Sequence, residues 1–252
     1  MPPGISLACY LLSAKPLSKL PHFDPRLVPV IGIDAHLPRV SPERLVPQAL
    51  QARFAEPPQW QPDVVREPRF ADRPPTQAAV LVPIVLRESM QPTVLLTERT
   101  AHLSTHSGQI AFPGGKVDEG DADAAATALR EAREEVGLDA RFVQVLGTLP
   151  IYVTGTSFIV TPVVALVRPG FQLQANPHEV ADVFEVPLTF LMDPANHRRH
   201  ALEVEGARRE WFSMPYYEPR PIAAVGSSAA VERFIWGATA GMLRNFYRFL
   251  SA

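Results

Sequence analysis

Fifteen of the chain's 27 prolines fall in its first 75 residues, and that skew restricts where regular structure can form. Proline fixes φ, lacks an N–H and interrupts helix interiors and central strands alike. Pro16, Pro21, Pro25, Pro29 and Pro38 cut the opening stretch into short apolar pieces, the texture of an extended arm. One short helix can start at Ser41-Pro42-Glu43, carry a partial apolar stripe through Leu45, Ala49, Ala52 and Phe54, and stop at Pro57-Pro58. Trp60 and Phe70 can anchor the arm to the main body or to a partner subunit; stacking on a nucleotide base is the other use for such rings. The expected division is a proline-rich extension with a short helix over residues 1–75 and a folded domain over 76–252.

From Gln77 onward the texture changes. Residues 78–86 are a continuous apolar run of strand length, followed by a polar turn at 88–92 and a partner strand at 94–97. Pro83 inside the first run predicts a sheet edge or a bulge there. Further strands are expected at 142–149, 158–167, 180–186 and 210–216, and a short helix at 188–192. A closing helix is expected over 234–250, where Ile235, Ala238, Met242 and Phe246 have helical spacing. Many strands with few long helices place the domain in the α+β class.

Between these strands lies the stretch with the most chemistry. Ala125, Ala126, Ala128 and Leu129 through Glu135 are strong helix formers, with Asp121 or Asp123 available as the N-cap and Gly137 suited to the left-handed C-terminal position. Ala125, Leu129, Ala132 and Val136 share one face, while Glu131, Glu134 and Glu135 gather on another side, with Arg130 in reach of Glu134. Like charges at this spacing repel, and carboxylates near a helix C-terminus oppose the macrodipole. On residue chemistry alone two readings stand: a solvated acidic face with one ion pair, or oxygen ligands for a hard divalent cation such as Mg²⁺ or Mn²⁺.

The pattern Gly115, Asp121 and then Arg130-Glu131-x-x-Glu134-Glu135-x-Gly137-Leu138 resembles the Nudix box, the loop–helix–loop of a family that hydrolyses nucleoside diphosphates linked to another group. Asp121 stands where that pattern has Glu, and eight residues rather than seven separate it from Arg130. The resemblance implies an α/β/α sandwich around a mixed sheet. It also implies that Glu131, Glu135 and the Gly115 carbonyl are metal ligands, with Glu134 a further ligand or the general base through a bound water. A base outside the box is the other option, and Glu179 in Asn176-Pro177-His178-Glu179-Val180 is its candidate; an exposed turn residue is the alternative for that position.

A second motif precedes the box. Leu95, Leu96, Thr97, Arg99, Gly108, Phe112, Pro113, Gly114 and Gly115 match an extra signature of coenzyme A diphosphatases, with Thr100 replacing Ser or Ala and Ser104 replacing a second Arg. Similarity to that subfamily continues through 153–155, 161–164 and 235–237, and so spans about residues 78–250. Arg99, His106, Gln109 and Thr154 are the expected substrate contacts; a surface charge is the alternative for Arg99, and a plain loop turn for Thr154-Gly155-Thr156. His102 and His106 have the spacing of a metal pair, but no Cys or third His stands nearby, and zinc is not expected.

The implied reaction is hydrolysis of coenzyme A or an acyl-coenzyme A to 3′,5′-ADP and (acyl-)4′-phosphopantetheine. A diphosphatase acting on ADP-ribose, a dinucleotide or a nucleotide sugar is the enzymatic alternative, and a non-catalytic nucleotide sensor is the other. A net charge of −2 without a basic block argues against bulk nucleic-acid binding, and no apolar run reaches membrane-span length. The single cysteine, Cys9, fits a reducing compartment, and residues 5–12 lack the marks of a signal peptide, so a cytoplasmic location is expected. An arm of this kind could embrace a second subunit, which leaves a homodimer open.

Overall fold

The computed structural model describes residues 23–69, 73–88, 91–100, 108–204, 207–219 and 230–252. The expectations on Cys9, Phe70, His102, Ser104 and His106, and part of the turn expected at 88–92, lie outside them. The first elements are β1 (Val30–Ile33), α1 (Pro47–Ala55), β2 (Thr76–Val85), β3 (Thr93–Arg99), β4 (Ile110–Ala111), β5 (Gly114–Lys116) and α2 (Ala124–Val136). There follow β6 (Val143–Thr148), β7 (Tyr152–Val153), β8 (Phe158–Val167), β9 (Val180–Pro187) and α3 (Leu188–Leu191). The last are β10 (Arg198–Val204), β11 (Ala207–Glu218), β12 (Val231–Trp236) and α4 (Gly237–Ser251).

Two sheets result. The larger is mixed: its main path runs β4-β3-β2-β8-β6, with β5 beside β2, β7 beside β8 and β9 beside β3. Its axis is β2, which pairs parallel with β8 along ten residues and antiparallel with β5 and then β3 on its other side. The smaller sheet is an antiparallel meander extended by one strand, in the order β1-β10-β11-β12.

Alternation along β2 divides the core. Ala79, Leu81 and Val85 face α2, where they meet its Ala128, Ala132 and Val136. Ala78, Val82 and Ile84 face the opposite way, into a larger cluster with Leu243, Phe246 and Leu250 of α4 and Leu50 of α1. Helix, sheet and helix thus form the α/β/α sandwich of an α+β domain, with α2 held against the central strands.

Several sequence expectations need correction. Pro83 is at neither an edge nor a bulge but inside the central strand. It is tolerated because the antiparallel side of β2 changes partner between Val80, opposite Gly114, and Ile84, opposite Val94. The closing helix starts at Gly237, three residues later than the spacing of Ile235 indicates, since residues 231–236 are held as β12 by pairing with β11. The opening residues are not an extended arm over their described part. Val40, Leu45 and Leu50 are buried in the larger cluster, and β1 pairs with β10. The short helix forms as Pro47–Ala55, preceded by a 3₁₀ turn at Pro42–Arg44.

The face of α4 turned to this segment is unusually polar and fully engaged. Arg244 reaches Asp34 at 3.0 Å and Asp63 at 2.7 Å. The Asn245 side chain exchanges hydrogen bonds with both backbone groups of Val64, and the Tyr247 hydroxyl donates to Pro38 O. Arg44 in turn donates to the carbonyls of Leu250 and Ala252, which have no acceptor role left within the helix. Trp60 does anchor the segment, packing 5.4 Å from the Phe249 ring.

Because α1 is inside the core, Leu50→Ala, at a site with 0% exposure, should destabilise the whole chain by about 2–5 kcal/mol. Denaturant unfolding followed by tryptophan fluorescence measures this. A loss well under about 1 kcal/mol would show that the segment is dispensable to the fold.

Candidate metal and diphosphate site

Helix α2 delivers the acidic residues, and its boundaries follow from local chemistry. Asp123 accepts from Ala126 N at 2.8 Å as the N-cap, and Gly137 ends the helix at φ 71°. The extra loop residue noted in the sequence is taken up by the turn before it, where Asp121 N donates to Asp118 O. Asp121 folds back beneath the helix and receives Arg130 with both oxygens, at 3.0 and 2.8 Å. Thr127 Oγ1 and Asp118 N also donate to its Oδ2. The paired guanidinium holds the Asp121 carboxyl well below the usual carboxylate range, followed in effect by the Asp118 amide.

Arg130 is the centre of this loop. Besides Asp121 it donates to Glu131 Oε1 at 3.0 Å, to Glu134 Oε2 at 3.2 Å and to the carbonyl of Lys116 at 3.0 Å. Glu134 is consequently turned to solvent, with 57% of its side chain exposed. The three box carboxylates therefore do not converge as their spacing promised. Among the described residues, no group of three His, Cys, Asp or Glu side chains is assembled as a metal cage.

Glu131 and Glu135 face the other way, into a cavity of about 680 Å³. Glu131 packs against the backbone of Gly115, where a Cβ would lie only 2.4 Å from its Oε1. Only glycine permits that approach. Glu135 is 4% exposed, accepts from Gly114 N at 3.2 Å and lies 3.7 Å from the Arg99 guanidinium. Burial raises the carboxyl of Glu131, and it pushes that of Glu135 up to about 7 against the pull of the Gly114 amide and Arg99.

Two further stretches of backbone add to the wall around them. The end of β3 is joined to residues 108–109 by paired hydrogen bonds, Arg99 N to Gln109 O and Gly108 N to Arg99 O, and Arg99 and Gln109 both line the cavity. Residues 174–179 are tied to the end of α2, Gln174 N donating to Val136 O and Asn176 N to Glu135 O. Glu179, oriented by Asn176 Nδ2 at 3.3 Å, therefore lines the same cavity. Thr154 lines it from the turn between β7 and β8. Arg99, Gln109, Thr154, Gly115, Glu131, Glu135 and Glu179 are thus brought together; Arg130 and Glu134 stand behind the wall.

Sequence reasoning missed the cavity's contribution from the first 75 residues. Glu67 is 8% exposed, accepts from the Tyr152 hydroxyl and Gly155 N at 3.0 Å each, and lies 3.9 Å from Arg209 of β11. It fixes the turn that carries Thr154. Its only sequence signal is a lone acid between prolines, which nothing distinguishes from a solvated one.

Two carboxylates and an adjacent backbone carbonyl make an all-oxygen donor set of the kind hard divalent cations take. Burial disfavours the ionised forms of Glu131 and Glu135, a cost that a bound cation would offset. The residues fit such an ion. A linkage test follows for the metal-free protein. With Glu135 at about 7 when folded and 4.5 as its ordinary value, its stability contribution is complete below about 4.5 and lost as pH rises through about 7. His197, buried neutral and lowered to about 4, acts in the opposite sense as pH rises, so the raw slope is a sum. The comparison isolates Glu135: Tm of Glu135→Gln minus Tm of the parent should grow between pH 5 and 8, and a flat difference would remove the buried-carboxylate assignment.

A family model described as the NUDIX domain matches residues 75–214. A Nudix hydrolase named NudL, described as uncharacterized, from Escherichia coli strain K12 is 43% identical over 172 residues, covering 67% of this chain and 80% of that protein. Its counterpart from Enterobacter sp. strain 638 is 42% identical over the same length and shares. Among solved structures, a Nudix hydrolase from M. smegmatis, RenU, is 25% identical with a TM-score of 0.39, covering 46% of this chain and 73% of that one. By the family model and the identity to full-length relatives, the chain belongs to the Nudix hydrolases, enzymes that cleave nucleoside diphosphate derivatives with the help of divalent metal ions.

Proposed function

We propose that this hydrolase cleaves the diphosphate bond of coenzyme A or an acyl-coenzyme A, releasing 3′,5′-ADP and (acyl-)4′-phosphopantetheine. The supporting observation is where the motif over 95–115 goes. Leu95, Leu96 and Thr97 are buried in β3, Phe112 is buried beyond β4, and Arg99 and Gln109 line the same cavity as Glu135. The motif over 95–115 and the box that follows it line one cavity. Thr100, a departure from the motif, has a use of its own: its N–H donates to Glu179 O and its hydroxyl to His178 O, bracing residues 174–179. Phe112, Phe158 and Met242 add apolar wall suited to an adenine or pantetheine surface.

Glu131, Glu135 and the Gly115 carbonyl would hold Mg²⁺ or Mn²⁺, which when bound neutralises diphosphate charge and acidifies water. Arg99, 3.7 Å from Glu135, can turn its planar fork to a phosphate oxygen. Gln109, Thr154 and His106 are assigned to substrate hydrogen bonds. We assign the general base to Glu179, which already faces the cavity, rather than to Glu134, which would have to leave Arg130 first. Its carboxylate takes the proton of the attacking water as the new P–O bond forms and the bridging P–O bond breaks. Arg130 is then a positioning residue, holding Glu131 and tying the Asp121 loop to the helix.

A substrate panel with product identification by mass tests the reading: coenzyme A with Mg²⁺ or Mn²⁺ should yield 3′,5′-ADP. Faster turnover of ADP-ribose, a dinucleotide or a nucleotide sugar would replace the substrate, and nucleotide binding without any product would make the protein a sensor. Glu131→Gln and Glu135→Gln should each cut kcat by more than about 100-fold, since even outer-shell partners of metal ligands cost 10–100-fold. Glu134→Gln, outside the cavity, should cost less than either, and the opposite order would return the ligand or base role to Glu134.

A further inference from the structure

One of the cavity's cations stands apart from its carboxylates. Among the described residues its cations are Arg73, Arg99, Lys116 and Arg209. Arg99 is 3.7 Å from Glu135 and Arg209 is 3.9 Å from Glu67, so each faces a carboxylate. Lys116 adjoins Gly115 and sits at the metal end. Arg73 has no carboxylate partner among the described residues, yet it is held in place. Its Nε donates to the Thr156 carbonyl at 2.6 Å, and its guanidinium lies over the Phe158 ring, 4.4 Å from the centroid. Both contacts use the inner part of the group and leave the two terminal nitrogens, the pair that matches a phosphate, without a described protein partner.

The sheet sets the distance between this fork and the metal end. Phe158 pairs with Thr76 on one side of β2, and Lys116 pairs with Ala78 on the other. Two strand spacings across β2 and the two positions from Thr76 to Ala78 along it together put roughly 12 Å between the Arg73 platform and Lys116, within reach of a nucleotide that carries a second phosphate on its ribose. A diphosphate held by Arg99 and by the cation that Glu131 and Glu135 would bind leaves Arg73 for a second, separate phosphate.

We propose that Arg73, fixed on Phe158 and Thr156, is a specificity subsite for a phosphomonoester on the substrate's ribose, the 3′-phosphate that distinguishes coenzyme A from dephospho-coenzyme A. The proposal rests on the coenzyme A reading above and adds the group by which that substrate is told from other nucleoside diphosphates. Arg73 touches no reacting atom; it selects and seats.

The test compares kcat/KM for coenzyme A and dephospho-coenzyme A in the parent, Arg73→Gln and Arg73→Lys. A charged hydrogen-bonded contact corresponds to roughly a 10–100-fold preference for coenzyme A in the parent. Arg73→Gln should remove most of that preference by lowering the coenzyme A value alone, and Arg73→Lys should retain part of it. Calorimetry on the metal-free protein gives a readout without turnover: 3′,5′-ADP should bind more tightly than AMP, and Arg73→Gln should equalise them. Equal parent rates on the two coenzymes, or an equal fall on both in Arg73→Gln, would overturn the subsite and leave the coenzyme A reading standing. Cleavage of neither coenzyme, with turnover of ADP-ribose, would overturn that reading and the subsite with it.

Discussion

The Arg130–Asp121 pair is the contact on which the site depends. A single guanidinium binds the loop before α2 through Asp121, the end of β5 through the Lys116 carbonyl, and the helix through Glu131 and Glu134. Without it, the backbone of Gly115 and the carboxylate of Glu131 would have no reason to share one small space. A planar group with five donors in fixed directions suits this task, and a lysine could not span the same acceptors. The arrangement also settles a conflict within the helix. Two of three closely spaced acids are drawn toward Arg130, which lowers the repulsion that burial of Glu135 would otherwise meet.

Around that contact the fold has two halves that meet at the cavity. The larger sheet with α2 supplies the acids. The segment before β2, the smaller sheet and α4 supply the opposite wall, through Glu67, Arg73, Arg209 and the apolar residues that follow Trp236. The family model covers residues 75–214, so Glu67, Arg73 and all of α4 enter from outside it. Whatever the box does chemically, these flanking elements shape what can lie against it.

How much of this was readable from the sequence depends on how local each interaction is. Helix α2 was legible to its ends, because the Asp123 cap and Gly137 act within one turn. The long apolar strands were legible as runs, but their partners were not: β2 and β8 are joined across some eighty intervening positions, and nothing in either run names the other. Strands β1, β10 and β12 were missed for a different reason. Prolines flank the first, and β10 and β12 carry charged residues in their first three positions, of which Arg233 is buried against Glu98, Asp182 and Glu218. At the site, the shared face of Glu131, Glu134 and Glu135 proved too coarse a guide. Neighbours on a helix differ by about 100°, enough to bury Glu135 and leave Glu134 in solvent. The departures at Asp121 offset one another, since a shorter acid on a longer loop still reaches Arg130 with both oxygens.

The contacts between Arg44 and the carbonyls at the end of α4 join positions 206 to 208 apart in the chain. During synthesis at 5–20 residues per second, the segment that carries Arg44 and Leu50 leaves the ribosome roughly 10–40 s before its partner helix does. For that interval the apolar side chains of α1 have no helix to cover them, and the cavity wall they support is incomplete. The box helix and its central strands can meet much earlier. The order of emergence therefore separates the chemistry, assembled first, from the enclosure that selects what reaches it, assembled last.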